Sequence, residues 1–197
     1  MHTDESAFIE KLIKGDESAY KELFDFYKTR VYNTAAGFLT NVSDAEDVTQ
    51  EVFIQIFSSV KHFKEKSRLS TWIYRITITK CLDHLRKSKA KKRFAFFTDI
   101  FSTDKNYKNE EKDSEESFVN YEHPGVESEK RELSKILLRE IDKLPDNQRI
   151  AFVLNKIEHL SYKEISDVMD TSVASVESLI SRAKTNLKKR LEKYYRS

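Results

Sequence analysis

The stretch of this chain that decides its fold is residues 160–189, LSYKEISDVMDTSVASVESLISRAKTNLKK. Ser161 and Glu164 have the spacing of a capping box, in which two side chains satisfy free amides at the start of a helix. A polar turn over residues 170–172 separates this short helix from a longer one. The inward positions of the longer helix recur at helical spacing: Val173, Val176, Ile180, Ala183 and Leu187. The stretch therefore predicts a helix-turn-helix.

The outer face of the longer helix carries small polar and basic side chains. Such a helix can enter the major groove of DNA, while the basic run 188–190 pairs with phosphates. The predicted DNA contacts are Ser172, Ser175, Glu177, Ser178, Ser181, Arg182, Lys184 and Lys188. An ordinary helical hairpin with a solvated charged face explains the spacing equally well. The turn also lacks the glycine that is often found there.

A second basic segment covers residues 61–93, with twelve Lys and Arg against Glu65 and Asp83. It contains Trp72-Ile73-Tyr74-Arg75, and aromatic rings can stack on unpaired bases. Residues 72–79 alternate like a strand, but no partner strand is predicted. Over a longer window the apolar positions follow helical spacing: Tyr74, Ile78, Cys81, Leu82 and Leu85. We predict a helix here.

Charge divides the 197-residue chain into three parts. Residues 1–93 carry 17 basic and 13 acidic side chains, residues 94–129 carry 3 and 10, and residues 130–197 carry 15 and 10. The acidic part has no apolar face to bury, and three glycines and two prolines leave little turn chemistry for β-structure. We predict an all-α protein with helical domains at 1–93 and 130–197, joined by a flexible acidic linker at 94–129.

Local signals predict where other helices begin. Gly15 should follow the first helix and Asp16 should cap the second. Ser43 and Glu46 have capping-box spacing, which predicts a helix start at Ser43. Pro145 suits the first turn of another helix.

Several classes of protein are disfavoured. No apolar run approaches the roughly 18 residues of a membrane span, and the N-terminus lacks a signal-peptide core. The single cysteine forbids an internal disulfide, which fits the cytoplasm. The histidines are scattered and no phosphate-cradling glycine loop occurs, so we expect no enzyme, cofactor or small-molecule substrate. Cys81 and His84 alone do not make a metal site.

Taken together, the segments resemble the extracytoplasmic-function (ECF) branch of the sigma-70 family, the promoter-recognition subunits of bacterial RNA polymerase. The matching blocks are GDESAY at 15–20, DAEDVTQEVF at 44–53, TWIYRI at 71–76, LP at 144–145, LSYKEI at 160–165 and SRAK at 181–184. Their order and spacing are specific, and the resemblance covers nearly everything except the linker. It implies a sigma factor that binds core RNA polymerase and directs promoter-specific initiation, including melting of the minus-ten element.

The resemblance implies that the helix at 44–57 docks on the coiled coil of the polymerase's largest subunit. Its acidic residues share one helical face and can pair with arginines. The implied contacts are Asp44, Asp47, Gln50, Glu51, Phe53, Ile54 and Phe57. Without the resemblance, these acidic residues would be interpreted only as the solvated face of a surface helix.

The segment at 61–86 resembles the part that opens the minus-ten element, with the loop at 61–67 forming a pocket for a flipped base. The implied contacts with melted single-stranded DNA are Lys61, Phe63, Lys64, Arg68, Thr71, Trp72, Arg75, Thr79 and Arg86. Two alternatives stay open: Trp72 as a core residue, and residues 86–93 as a solvated basic run.

The second domain resembles the reader of the minus-thirty-five element, whose other implied partner is the flap of the second-largest polymerase subunit. Asp170, Glu177 and Leu179 depart from the family pattern, so Glu177 either accepts from a cytosine or points away from DNA. In the family, the connector between the two domains threads through polymerase. An acidic linker can equally be a simple solvated spacer without that role. Many members pair with an anti-sigma factor, often membrane-bound. The rival hypothesis is a stand-alone helix-turn-helix regulator that never engages polymerase.

Overall fold

A computed structural model describes residues 2–39, 41–101 and 127–195. All regular structure in these ranges is helical, which confirms the predicted all-α class. A 3₁₀ turn covers Val60–His62, and the α-helices are α1 His2–Lys14, α2 Glu17–Phe38, α3 Val42–Ser59, α4 Leu69–Phe101, α5 Glu127–Asp142, α6 Asp146–Lys156, α7 Tyr162–Met169 and α8 Val173–Tyr195. No helix within the described ranges is both long enough and apolar enough to cross a bilayer.

The predicted linker lies largely outside the described residues. Helical backbone extends into both ends of the predicted 94–129 segment, because α4 continues to Phe101 and α5 begins at Glu127. Its flexibility and its path through polymerase stay predictions.

The ends of α1 and α2 follow the sequence signals. Gly15 has a φ of +81°, a conformation that favours glycine. The Asp16 carboxylate accepts from the backbone amides of Ser18 at 2.8 Å and Ala19 at 3.1 Å. The Ser18 hydroxyl also donates to this carboxylate, and its hydrogen bond contributes most to lowering the pKa of Asp16, with the two amide hydrogen bonds adding to the effect. The predicted N-cap is confirmed.

Two other helix starts differ from prediction. α3 begins at Val42 with Asn41 as its N-cap, so the capping box predicted at Ser43 is wrong. Asparagine caps as well as serine does, and its side chain accepts from the Asp44 amide at 3.2 Å. Pro145 is the N-cap of α6 rather than part of its first turn.

The helix-turn-helix forms as predicted. Ser161 and Glu164 make both hydrogen bonds of the capping box, and those from Ser161 lower the pKa of Glu164. Asp170 ends α7 with φ 52° and ψ 52°, a left-handed conformation that aspartate tolerates better than most residues. It therefore occupies the position where a glycine was expected.

The first domain is built on α2, α3 and α4, with α1 against α2. α4 confirms the helical assignment of residues 72–79: Ile73, Tyr74, Ile78 and Cys81 are all buried. Burial raises the pKa of the Cys81 thiol to about 12, which keeps it protonated. The Glu5 carboxylate accepts from the Leu69 amide at 2.9 Å and so ties α1 to the start of α4.

The second domain packs α5, α6 and α7 around α8, with Ile165, Val176, Ile180 and Ala183 fully buried. Its buried residues form one continuous core with those of the first domain. The contact between domains runs from α2 to α6 and from α4 to α7.

Candidate nucleic-acid interface

α3 presents an exposed acidic stripe with an apolar end. Asp47, Gln50, Glu51 and Ile54 are all exposed, and their i, i+3, i+4, i+7 spacing places them on one helical face. Ile54 is 68 % exposed, unusual for an isoleucine on a well-packed helix. Phe53 is only 3 % exposed, so it supports this stripe from beneath rather than forming its surface.

Neighbouring helices hold the flanks of this stripe. Glu51 Oε2 lies 3.4 Å from Lys80 Nζ on α4, and Asp44 Oδ2 lies 3.4 Å from His84 Nε2. Phe57 is half-buried, with its ring centre 5.1 Å from that of Tyr20 on α2. The arrangement offers a partner two carboxylates beside an apolar contact, a combination that suits a basic helix with apolar residues between its arginines.

The predicted minus-ten segment forms a basic loop around an aromatic pair. Lys61, Lys64 and Arg68 are exposed between α3 and α4. The rings of Phe63 and Trp72 lie 4.9 Å apart, and both side chains are half-buried. Trp72 therefore packs on Phe63 and still reaches the surface. Its position is intermediate between that of a core residue and that of a residue facing DNA.

The remaining predicted minus-ten residues are more dispersed. Thr71 is 6 % exposed and packs inside the domain, so it offers little surface to a nucleic acid. Thr79 and Arg86 are exposed, and Arg86 pairs with Asp83 at 3.1 Å. Arg75 is exposed but points to the second domain, where it donates to the α7 carbonyls of Asp167 and Val168.

All predicted contacts of the second domain are exposed on or just before α8. Ser172 caps α8, its hydroxyl accepting from the Ser175 amide at 3.1 Å. Because a helix turns once every 3.6 residues, Ser178 and Arg182 share the centre of the outer face. Glu177 and Lys184 lie on one flank of it.

Thr185 and Lys189 lie on the same central face and are exposed, although Thr185 is not among the predicted DNA contacts and Lys189 was predicted only as a phosphate contact in the basic run 188–190. Helical spacing counted from Ser178 would have found both. Among the described residues, no three His, Cys, Asp or Glu side chains come together in a way that could hold a metal ion.

Comparison with known proteins identifies the architecture. The family model described as Sigma-70 region 2 matches residues 23–91, and the one described as Sigma-70, region 4 matches residues 134–187. The ECF RNA polymerase sigma factor SigW of Bacillus subtilis (strain 168) is 32 % identical over 190 residues, covering 93 % of this chain and 94 % of SigW. The ECF RNA polymerase sigma-E factor of Haemophilus influenzae is 31 % identical over 192 residues, covering 95 % of both chains.

Solved structures agree on the fold. CnrH, in complex with the cytosolic domain of CnrY, is 20 % identical with a TM-score of 0.67, covering 95 % of this chain and 97 % of CnrH. The sigma factor RpoE of Bartonella quintana, in complex with the anti-sigma factor NepR, is 17 % identical with a TM-score of 0.62, covering 88 % of this chain and 96 % of RpoE.

The two matched regions and the site geometry define the class of protein, an RNA polymerase sigma factor. This chain belongs to the ECF branch of the sigma-70 family. A stand-alone regulator is therefore not favoured, because it would have no use for the region 2 domain.

Proposed function

We propose that this chain binds bacterial core RNA polymerase through α3, reads promoter DNA through the 61–68 loop and α8, and helps to open the minus-ten element. One observation carries the proposal. A single molecule presents an exposed acidic-apolar stripe, a basic loop with a half-exposed tryptophan, and a helix-turn-helix with a polar outer face.

The α3 stripe is proposed as the polymerase-docking surface. Its exposed members are Asp47, Gln50, Glu51 and Ile54, with Asp44 and Phe57 at its edges and Phe53 beneath. The carboxylates would pair with arginines of the largest-subunit coiled coil, while Ile54 would be covered by apolar side chains.

The two DNA-binding surfaces are proposed to have different roles. Lys61, Lys64 and Arg68 would hold the backbone of the melted strand, and Trp72 would replace lost base stacking, worth about 1–3 kcal/mol per base. In the second domain, Ser178 and Arg182 would face base edges, while Lys188 and Lys189 would meet phosphates. Melting would be driven by binding energy, without a catalytic step.

Further partners follow from the same proposal. The second domain would contact the flap of the second-largest subunit. An anti-sigma partner is also proposed, because the matched RpoE structure contains the anti-sigma factor NepR. The chain would act in the cytoplasm, where bacterial polymerase meets DNA.

In vitro transcription tests the proposal. Core polymerase from the source organism would transcribe genomic fragments with and without the protein, and RNA 5′ ends would be mapped. We expect new starts that share two upstream motifs. If active protein and active core yield no new starts, the proposal is wrong.

The docking surface is tested by the double variant D47K/E51K. It should lose most of its affinity for core polymerase while keeping its free energy of unfolding within about 1 kcal/mol of the wild type, since both side chains are exposed and, among the described residues, the only ion pair lost is the surface pair of Glu51 with Lys80. The control E10K/E22K makes the same charge change at exposed positions on α1 and α2. If the two double variants bind core polymerase with equal affinity, Asp47 and Glu51 are not part of the docking surface.

A further inference from the structure

The first helix, α1, supports the loop at residues 61–68, although none of the predicted DNA contacts lies on α1. Its apolar side is fixed in the first domain, where Ile9 and Leu12 are buried. α1 also packs on the 3₁₀ turn Val60–His62, where the loop begins. The loop therefore starts from a well-anchored support.

Two polar side chains of α1 reach further along the loop. Ser6 Oγ donates to Glu65 Oε2 at 2.8 Å, in the middle of the loop. Glu5 Oε1 accepts from the Leu69 amide at 2.9 Å, at the first residue of α4. α1 therefore holds the loop at its beginning, middle and end, through residues that are 59 and 64 positions away in the chain.

The middle of the loop has a backbone conformation that needs support. Glu65 has a φ of 52°, in the left-handed region that residues other than glycine, asparagine and aspartate enter at a cost in free energy. The hydrogen bond from Ser6 falls on this same residue and offsets that cost. Because the bond is exposed, it adds little to the stability of the domain, and its main effect is to favour one conformation of the loop.

The same bond fixes the position of a negative charge. Residues 61–68 contain four Lys and Arg side chains, and Glu65 is the single acidic residue among them. A free carboxylate here would repel the phosphates that the basic side chains are proposed to bind. Ser6 ties one carboxylate oxygen to α1, so the basic side chains keep a defined arrangement around it.

The contact at the end of the loop sets the first turn of α4. Amides in the first turn of a helix lack partners within the helix, and Glu5 satisfies that of Leu69. Trp72 lies three residues later, and its ring centre is 4.9 Å from that of Phe63 in the loop. The position of the proposed stacking ring therefore depends on α1 as well as on the packing of α4.

We propose that Glu5 and Ser6 are positioning residues for the recognition of melted minus-ten DNA, and that they act through the loop without touching the DNA. This inference rests on the proposed function, since it concerns the same DNA-binding surface. Basic side chains can hold a phosphate backbone in several loop conformations, because such contacts carry no sequence information. A base that stacks on Trp72 needs one conformation. Loss of either α1 contact therefore weakens base recognition and spares backbone contacts.

Substitutions in α1 separate a positioning role from a merely structural one. Ser6→Ala removes the bond to the loop, whereas Ser6→Thr keeps a hydroxyl. Glu5→Ala removes the acceptor for the α4 amide, whereas Glu5→Gln keeps an acceptor oxygen. The matched control is Ser18→Ala, which removes another exposed hydroxyl–carboxylate bond, 2.6 Å long, to Asp16 at the start of α2.

Binding is measured by fluorescence anisotropy with holoenzyme assembled from each variant. The probes are a labelled single-stranded oligonucleotide, with the minus-ten motif of a promoter found by mapping RNA 5′ ends, and a series with one abasic site each. At the position of the stacked base, wild type should bind the intact probe about tenfold more tightly than the abasic probe. Ser6→Ala and Glu5→Ala should bind the intact probe about fivefold less tightly than wild type, the equivalent of one hydrogen bond. Their affinity for the abasic probe should not change.

The ratio of the two affinities decides the outcome. Ser6→Thr, Glu5→Gln and Ser18→Ala should retain the wild-type ratio. Ser6→Ala/Glu65→Ala should have the same ratio as Ser6→Ala alone, because the two side chains act through one bond. A wild-type ratio in both alanine variants, or an equal loss of affinity for both probes, would overturn the inference.

Transcription with core polymerase separates this inference from the proposed function. If wild type yields no new starts, the proposed function itself is rejected. If wild type initiates and both alanine variants keep the wild-type ratio, only the positioning role of α1 is rejected.

Discussion

A buried carboxylate at the base of the second domain gives the sharpest stability prediction. Glu140 on α5 is 1 % exposed. Its Oε1 lies 2.7 Å from Lys143 Nζ and 3.5 Å from Lys193 Nζ and accepts from the Tyr194 hydroxyl at 3.2 Å, while Oε2 lies 3.7 Å from Arg190 Nη1. One carboxylate therefore joins α5 to the end of α8.

The substitution Glu140→Gln keeps the shape and removes the charge. Breaking a fully buried ion pair costs about 3–5 kcal/mol, but Lys143 and Lys193 are 49 % and 58 % exposed and keep much of their hydration. We expect a loss of about 2 kcal/mol in the free energy of unfolding at pH 7, close to that of a charge-assisted hydrogen bond. Urea unfolding measures it, and Glu192→Gln on the exposed side of α8 is the control.

The pH dependence tests the cause. Burial raises the pKa of Glu140, but the hydrogen bond and charge of Lys143 outweigh it, so the pKa lies below its ordinary value. The stability from this group is present above the unfolded-state pKa and is lost as pH falls through the lowered folded-state pKa. The difference between wild type and Glu140→Gln should shrink on acidification. A difference that persists at low pH would show that packing, not charge, is responsible.

Two further predictions concern the turn and the outer face of α8. Asp170→Val should lower the free energy of unfolding in urea by about 1–2 kcal/mol, because a β-branched residue is disfavoured at φ 52°, whereas Asp170→Gly should change it by no more than about 0.5 kcal/mol. In the holoenzyme, Arg182→Ala should cost about 1–3 kcal/mol of promoter binding in anisotropy titrations and relax sequence preference, whereas Lys188→Ala should weaken all sequences alike and reduce the salt dependence.

The sequence predicted what depends on local spacing. The capping box at Ser161, the Asp16 cap and the helical assignment of residues 72–79 all follow from neighbours within a few residues. The error at Ser43 has the same origin, since Asn41 lies two residues earlier and is an equally good N-cap, so local spacing does not decide between them. Local spacing also placed the exposed members of the α3 stripe on one face.

The sequence did not predict contacts between segments that are far apart in the chain. Tyr74 and Glu158 are 84 positions apart, and Arg75 and Asp167 are 92 apart, so no periodicity connects them. Burial of Phe53 and Thr71 depends on which helices pack over them, which a single helical pattern does not specify. An arginine in an aromatic-basic segment predicts a phosphate contact, yet a carbonyl at a helix end attracts the same guanidinium.

Arg75 combines an observed interdomain contact with a proposed DNA contact. Phosphates and the α7 carbonyls compete for one guanidinium, and they differ in that only DNA carries full negative charge. The proposed phosphate contact of Arg75 therefore competes with two hydrogen bonds that the side chain already makes to the Val168 and Asp167 carbonyls. If the proposed docking on polymerase holds both domains at a fixed separation, it should raise the effective concentration of each DNA surface at the promoter.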